Sequence, residues 1–148
     1  MKYINVVIGP QNASAVIMGC MRMPALSVDE AANMIRADYD LGINFYDHAT
    51  CYGENGEAEN RFGDAFPKTG IKRGDVFIQS KCGILSDQGE FNWTKENIIA
   101  SVDDSLRRLK CEYLDSLCFT APTCSMSPSR SPRRLTSSKK AEKSGASA

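Results

Sequence analysis

Residues 42–53 read GINFYDHATCYG, and this stretch decides the fold. The apolar run at residues 43–46 is typical of a buried strand, and it ends abruptly in the charged Asp47. A second run, VFIQS at residues 76–80, ends in the same way in Lys81. Because a charge that leaves a buried strand is costly unless it is paired, the two side chains are expected to meet.

Helices and strands alternate around these two strands. An opening hairpin is predicted from strand-like segments at residues 3–8 and 15–21, which flank the turn sequence GPQN. Ser27 and Glu30 form a capping box that starts a helix, and Thr94 starts a later one. The predicted order after the hairpin is helix 27–41, strand 43–46, helix 55–66, strand 75–80, helix 94–109 and strand 113–117. This alternation predicts an α/β fold with a parallel sheet.

The carboxyl ends of parallel strands lie at one edge of the sheet, where functional groups collect. Residues 18–22, 47–53 and 81–83 are predicted to meet there. The spacing alone explains Asp47 and Lys81 equally well as an ion pair that only fixes the sheet. Tyr52 favours a reactive site, because a lysine ammonium lowers the pKa of a neighbouring phenol, ordinarily about 10. Such a phenol is a usable proton donor near neutral pH.

Three motifs resemble those of the aldo-keto reductase family, in its bacterial oxidoreductase branch. They are the stretch at residues 42–53, the sequence VFIQSKCG at residues 76–83, and SLRRLKCEYLD at residues 105–115. The resemblance covers residues 1–117. It implies the N-terminal half of a (β/α)8 TIM barrel and reversible hydride transfer from NADPH to the carbonyl group of an aldehyde or ketone. NADH is not excluded as the cofactor.

The resemblance also implies roles for individual residues. Tyr52 would be the general acid that protonates the carbonyl oxygen, Lys81 would lower its pKa, and Asp47 would hold Lys81 in place. The chemistry of hydride transfer would belong to the cofactor, and the protein would orient it. The residues that would border the nicotinamide and its ribose are Gly19, Cys20, Met21 and Asp47.

The one histidine and the six cysteines favour packing roles. His48 follows Asp47, and we expect it to point away from its neighbour or to cap the loop. Cys51 and Cys82 border the predicted site and could be sensitive to oxidation, but lone thiols are commonly small packing residues. No C-x-x-C pair occurs, so neither a disulfide framework nor a metal site is predicted, and a cytoplasmic location is expected.

The C-terminal part of the chain has a different composition. Residues 1–117 carry twelve basic and seventeen acidic side chains (net −5), whereas residues 118–148 carry six basic and one acidic (net +5). The second segment contains eight serines and no Val or Ile, so it cannot bury enough surface to order itself. We expect a partial barrel at residues 1–117 and a disordered tail at residues 118–148.

The tail begins where the resemblance calls for a further catalytic residue, a histidine. Residues 118–123 read CFTAPT. Codons can be chosen for these residues so that, when the reading frame starts one base earlier, they encode Leu-Leu-His-Arg-Pro-Asp. This is the sequence that the family has at this place. The histidine falls on the codon that overlaps Thr120. The same reading continues into an amphipathic helix and the start of a strand. The tail is therefore predicted to be out of frame, and the chain to be a truncated and inactive reductase.

Other classes of function are less well supported. A non-catalytic binding or regulatory fragment of the same fold is the alternative. The formal net charge is zero and the basic tail lacks interleaved aromatic residues, so nucleic acid is not an expected partner. No apolar run approaches the roughly 18 residues of a membrane helix, so no membrane is expected either. The expected partner is a small carbonyl substrate, and nothing in the sequence indicates an oligomeric state.

Overall fold

The computed structural model describes residues 5–8, 11–85, 90–120 and 135–136 of the chain. The elements are β1 (Asn5–Ile8), β2 (Gln11–Ser14), β3 (Ile17–Gly19), α1 (Val28–Asp40), β4 (Phe45–Asp47), α2 (Glu57–Ala65), β5 (Phe77–Cys82), β6 (Ile84–Leu85), β7 (Glu90–Phe91), α3 (Lys95–Leu109), β8 (Tyr113–Leu114), β9 (Ser116–Phe119) and β10 (Leu135–Thr136). Short 3-10 turns lie at Cys20–Ala25, Glu54–Gly56, Phe66–Thr69 and Arg73–Asp75.

The centre of the molecule is a four-stranded parallel sheet in the order β3-β4-β5-β9. Each step from one strand to the next passes through a helix: α1, α2 and α3 in turn. The predicted α/β fold with a parallel sheet is thereby confirmed. In register, Gly19 lies beside Asp47, Asp47 beside Gln79, and Gln79 beside Ser116.

Alternation along the strands divides the side chains into two layers, because successive residues of a strand point to opposite faces. One layer carries Phe45 and Phe77, whose ring centroids are 4.8 Å apart. The opposite layer carries Tyr46 and Ile78, which belong to the main core against the helices. That core also contains Met23, Ile35, Phe62, Val102, Leu106 and Leu109.

The opening hairpin is present, but its second strand differs from the predicted one. β1 pairs antiparallel with β2, with Ile8 opposite Gln11, and the segment at residues 15–21 instead supplies β3 of the parallel sheet. Ser14 then ties the hairpin to the sheet: its amide donates to Asn44 Oδ1 (2.8 Å), and its hydroxyl accepts from the Asn44 amide (3.1 Å).

The caps predicted for the first and last helices are both present. Ser27 and Glu30 form the complete capping box of α1, and the Thr94 hydroxyl accepts from the Asn97 amide at the start of α3. α2 begins at Glu57, two residues later than predicted. The delay follows from the backbone of Asn55 and Gly56, whose φ angles of 53° and 73° are left-handed and cannot continue a right-handed helix.

The predicted boundary between barrel and tail falls inside a strand, because β9 continues to Phe119. Leu135–Thr136 pairs antiparallel with Tyr113–Leu114. The rest of the predicted tail, residues 121–134 and 137–148, lies outside the described residues. Among the residues that are described, no helix is long and apolar enough to cross a membrane.

Candidate active site

Three side chains meet at the carboxyl end of the sheet. The Lys81 ammonium lies 2.5 Å from Asp47 Oδ2 and 3.0 Å from the Tyr52 hydroxyl. Asp47 ends β4 and Lys81 stands on the neighbouring strand β5, so the sheet itself brings the two charges together. The predicted contact between Asp47 and Lys81 is present, and the Lys81 ammonium also contacts the Tyr52 hydroxyl.

The loop after β4 places Tyr52 against the lysine. The Thr50 amide donates to the Lys81 carbonyl (3.3 Å), and the Tyr52 amide donates to the Ala49 carbonyl (3.1 Å). The first turn of α2 adds a third contact, since the Ala58 amide donates to the Tyr52 carbonyl (3.1 Å). The Tyr52 hydroxyl also lies 3.5 Å from Asp47 Oδ2. Backbone contacts on both sides therefore hold the phenol in place.

All three donors of the Lys81 ammonium have acceptors. Besides Asp47 and Tyr52, it donates to the His48 carbonyl at 2.9 Å. Partial burial acts to lower the pKa of Lys81, but the hydrogen bonds that Lys81 donates to Asp47 and Tyr52 outweigh it, and the pKa is raised above its ordinary value. Lys81 is therefore charged throughout the neutral range.

Gln79 belongs to the site and was not predicted from the sequence. Its amide nitrogen donates to Asp47 Oδ1 at 2.7 Å, so both carboxylate oxygens of Asp47 have partners. Gln79 and Lys81 are two residues apart on β5 and share one face of the sheet. That spacing could have identified Gln79 from the sequence, because a side chain two positions before the lysine on a strand points to the same face of the sheet.

His48 turns away from the site, as expected. It follows Asp47 and points into the helix layer, where its ring meets the edge of Phe62 at a centroid distance of 4.7 Å. The side chain is fully buried, and neither ring nitrogen has a hydrogen-bond partner among the described residues. Burial lowers the pKa of His48 to about 3, so the imidazole is neutral.

The residues predicted to border a cofactor do not all face the site. Gly19 lies beside Asp47 in the sheet, and the space where a Cβ atom would sit is open. Met21 is exposed. Cys20 faces the helix layer and is 1% exposed, and burial raises the pKa of its thiol. The structure therefore brings Gly19 to the site but not the Cys20 side chain.

The remaining cysteines near the site are a mixed pair. Cys51 is exposed, whereas Cys82 is buried, and its burial raises the pKa of the thiol. Within the described ranges, no group of three or more His, Cys, Asp or Glu side chains could hold a metal ion.

The described α/β sheet, with Asp47, Lys81 and Tyr52 at its carboxyl end, corresponds to part of the (β/α)8 barrel of the solved structures that it resembles. The chain belongs to the aldo/keto reductase family, whose model matches residues 15–142.

Relatives of known sequence or structure agree with this assignment. The uncharacterized oxidoreductase YcsN of Bacillus subtilis is 32% identical over 125 residues, which cover 78% of this chain and 41% of that protein. A probable voltage-gated potassium channel subunit beta of rice is 35% identical over 92 residues, covering 61% of this chain and 27% of that one. The solved holo form of an aldo-keto reductase from Bacillus halodurans superimposes with a TM-score of 0.65 at 29% identity, covering 80% of this chain and 40% of that one. The chain thus spans less than half the length of these relatives.

Proposed function

We propose that this chain carries the proton-donating part of the active site of an NAD(P)H-dependent oxidoreductase that reduces an aldehyde or ketone. The observation that carries the proposal is the contact of one lysine ammonium with both a phenol and a carboxylate, at 3.0 Å and 2.5 Å. Membership of the aldo/keto reductase family supplies the reaction class.

Each of the three residues has a distinct task in this proposal. Tyr52 donates its proton to the carbonyl oxygen of the substrate as the carbonyl carbon is reduced. The Lys81 ammonium stabilises the phenolate that remains, because an opposite charge within hydrogen-bond distance favours the charged form. Asp47 fixes Lys81, and Gln79 fixes Asp47. Asp47, Gln79 and Lys81 belong to the layer of the sheet that faces away from the helices, and Tyr52 reaches that layer from the loop after β4.

In this proposal a nicotinamide cofactor would bind next to Asp47. Gly19 lies beside Asp47, and among the described residues no atom outside its chain neighbours lies within 4 Å of the position that its Cβ would occupy. A flat ring could therefore approach the strand closely, and Met21 is exposed in the turn that follows β3. The cofactor, when bound, would supply the hydride. NADPH is the proposed form, and NADH is an alternative.

The test of Tyr52 compares two Tyr→Phe variants of the chain whose reading frame after residue 117 has been restored, in a carbonyl-dependent assay of NADPH and NADH oxidation. Tyr52→Phe removes the proposed proton donor and is expected to abolish turnover. Tyr39→Phe on α1 is the matched control and is expected to leave turnover unchanged. Turnover that survives Tyr52→Phe would exclude the proposed acid.

We also propose that residues 118–148 are read out of frame and that the chain of 148 residues is inactive for this reason. Cys118 lies opposite Lys81 in the parallel register, so the side chain at position 120 belongs to the same face of the sheet as Lys81. That is the position of the histidine in the alternative reading. Sequencing the gene across codons 117 and 118 tests the proposal. An intact frame would contradict it, whereas a lost base predicts that repair restores turnover.

A non-catalytic binding or regulatory role is the second candidate. It is favoured by the similarity to the rice protein named as a probable potassium channel subunit beta, and by an Arabidopsis thaliana protein of the same name that is 33% identical over 104 residues. Cofactor binding without turnover, in a chain whose frame is intact, would support this role. For either candidate we propose a cytoplasmic location, since the cysteines within the described ranges are free thiols.

A further inference from the structure

A buried carboxylate lies behind the site, on the helix side of the sheet. Glu59 of α2 is 0% exposed. Its Oε1 accepts from the Ser80 hydroxyl at 2.6 Å, and its Oε2 accepts from Arg108 Nε at 2.8 Å. We call Glu59, Ser80 and Arg108 the Glu59 cluster. It joins α2, β5 and α3 at one point.

The Glu59 cluster joins three elements at a cost in free energy, because its charged groups are buried. A buried ion pair gains little over well-packed apolar side chains of the same volume, because both charges must leave water. The main core around it is apolar and includes Phe62 and Leu106, so an apolar contact was available at this depth. Hydrogen bonds, unlike apolar contacts, fix direction as well as distance. The cluster therefore specifies how the three elements are placed.

Of these elements, β5 carries Lys81, and α2 contacts the loop that carries Tyr52. Ser80 directly precedes Lys81 on β5, and the two side chains point to opposite faces of the strand. Glu59 directly follows Ala58, whose amide donates to the Tyr52 carbonyl at 3.1 Å. A short path therefore connects the Glu59 carboxylate to the backbone on either side of the contact between Lys81 and Tyr52.

Arg108 supports the same loop from behind. A Cβ atom on Gly56 would lie 2.4 Å from Arg108 Nε, so the loop that carries Tyr52 lies directly against the guanidinium group. Gly56 has a φ of +73° and stands between Tyr52 and α2. The Glu59 cluster thus contacts the loop at its C-terminal end and β5 beside Lys81.

We propose that Glu59 is a positioning residue that sets the 3.0 Å contact between the Lys81 ammonium and the Tyr52 hydroxyl. The inference rests on the proposed function, in which that contact prepares the proton donor. Glu59 itself touches neither reacting group. It acts through the placement of α2 relative to β5.

The experiment measures the coupling between Lys81 and Tyr52 directly, without turnover. Tyrosine labelled with 13C at Cζ reports the state of each phenol by NMR, and Tyr52→Phe assigns the resonance. Lys81→Met is expected to shift the Tyr52 resonance in the full chain. In a Glu59→Gln background, the same substitution is expected to produce a shift smaller by at least about twofold, because groups that no longer touch behave additively.

Asp64→Asn is the matched control. Asp64 also lies on α2 and pairs with Lys110 beyond the end of α3 at 2.5 Å, but this ion pair is exposed. Asp64→Asn should leave the effect of Lys81→Met on Tyr52 unchanged. An undiminished effect in folded Glu59→Gln would overturn the inference.

Two further outcomes are distinguishable. If Lys81→Met does not shift the Tyr52 resonance even in the parent chain, the contact on which the proposed function rests is itself wrong. If Glu59→Gln fails to fold, Ser80→Ala takes its place, since it removes one hydrogen bond and keeps the ion pair. A reduced effect of Lys81→Met in Ser80→Ala supports the inference, and an unchanged effect contradicts it.

Discussion

Lys81 shows how alternation along a strand produces a site. Its neighbour Ser80 contacts Glu59 in the helix layer, while Lys81 points to the other face and meets Asp47. On β4 the same rule sends Asp47 into the site and His48 into the helix layer. If either strand shifted its register by one residue, the side chains now in the site would face the helices and those now in the helix layer would face the site, because the side-chain period of a strand is two.

The buried His48 makes stability depend on pH. Its pKa is about 3 in the folded protein, mainly because burial disfavours the charged imidazole. In the unfolded chain it is near 6.5, so protons bind the unfolded state first as the pH falls. The free energy of unfolding should therefore be intact above pH 6.5 and decline between about pH 6.5 and 3. At pH 5 the loss from this group is about 2 kcal/mol.

Urea unfolding at several pH values between 5 and 7.5 measures this dependence. Because His48 is the single histidine of the chain, other side chains contribute little above pH 5. His48→Leu removes the titrating group and keeps an apolar contact with Phe62, so its stability should be nearly flat over this range. An equal decline in the parent chain and in His48→Leu would show that the dependence arises elsewhere.

Individual residues also show what sequence reasoning could reach. Asp47 and Lys81 were recognisable because each charge ends an apolar strand, and their contact is present. Glu59 was not recognisable, since a glutamate in the first turn of a helix is ordinarily an exposed, favourable charge. Only the approach of β5 and α3 buries it. Gln79 was not predicted, although it lies two residues before Lys81 on β5 and so faces the same side of the sheet.

At the scale of elements, α2 and α3 pack closely enough to exclude any side chain at their crossing. A Cβ atom on Gly63 would lie 2.1 Å from the Arg108 carbonyl oxygen. In an exposed helix, Gly→Ala stabilises by about 0.5–1 kcal/mol, because alanine loses less backbone entropy. Gly63→Ala is expected to reverse that sign and destabilise the fold by about 1–3 kcal/mol, because backbone must move.

Urea unfolding of Gly63→Ala tests the crossing of α2 and α3. Gly74→Ala is the control, since no atom of the described residues outside its chain neighbours lies within 4 Å of its Cβ position and its φ is not left-handed. Gly74→Ala should change the free energy of unfolding by less than about 0.5 kcal/mol. A stabilised Gly63→Ala variant would mean that the two helices are farther apart in solution.

The features predicted best from the sequence are those determined by residues close together in the chain. The caps of α1 and α3 depend on Ser27 and Thr94, each within three residues of its acceptor or donor, and both were predicted. The partner of β1 was predicted wrongly, because β-branched residues favoured the later segment, whereas β1 pairs with Gln11–Ser14. Pairing is not local, and propensity does not determine it.

At the scale of the whole molecule, the parallel sheet has two edges. Within the ranges that the structure describes, β3 has β4 as its only neighbour in this sheet, and β9 has only β5. Val16 and Ile17, beside and on β3, are 47% and 48% exposed, which is unusual for apolar residues of a barrel strand. Unpaired edges with apolar side chains favour association with another strand.

Hydrogen exchange distinguishes the edges from the centre of this sheet. β4 and β5 have a strand on each side, so their amides should exchange only through larger opening reactions. Peptides that cover β3 should therefore exchange much faster than peptides that cover β5, as measured by mass spectrometry on the chain of 148 residues. Repeating the measurement over a range of protein concentrations separates the possible causes of any protection at β3. Protection that grows with concentration would mean that a second copy covers the edge, whereas equal protection of β3 and β5 at every concentration would contradict the open sheet.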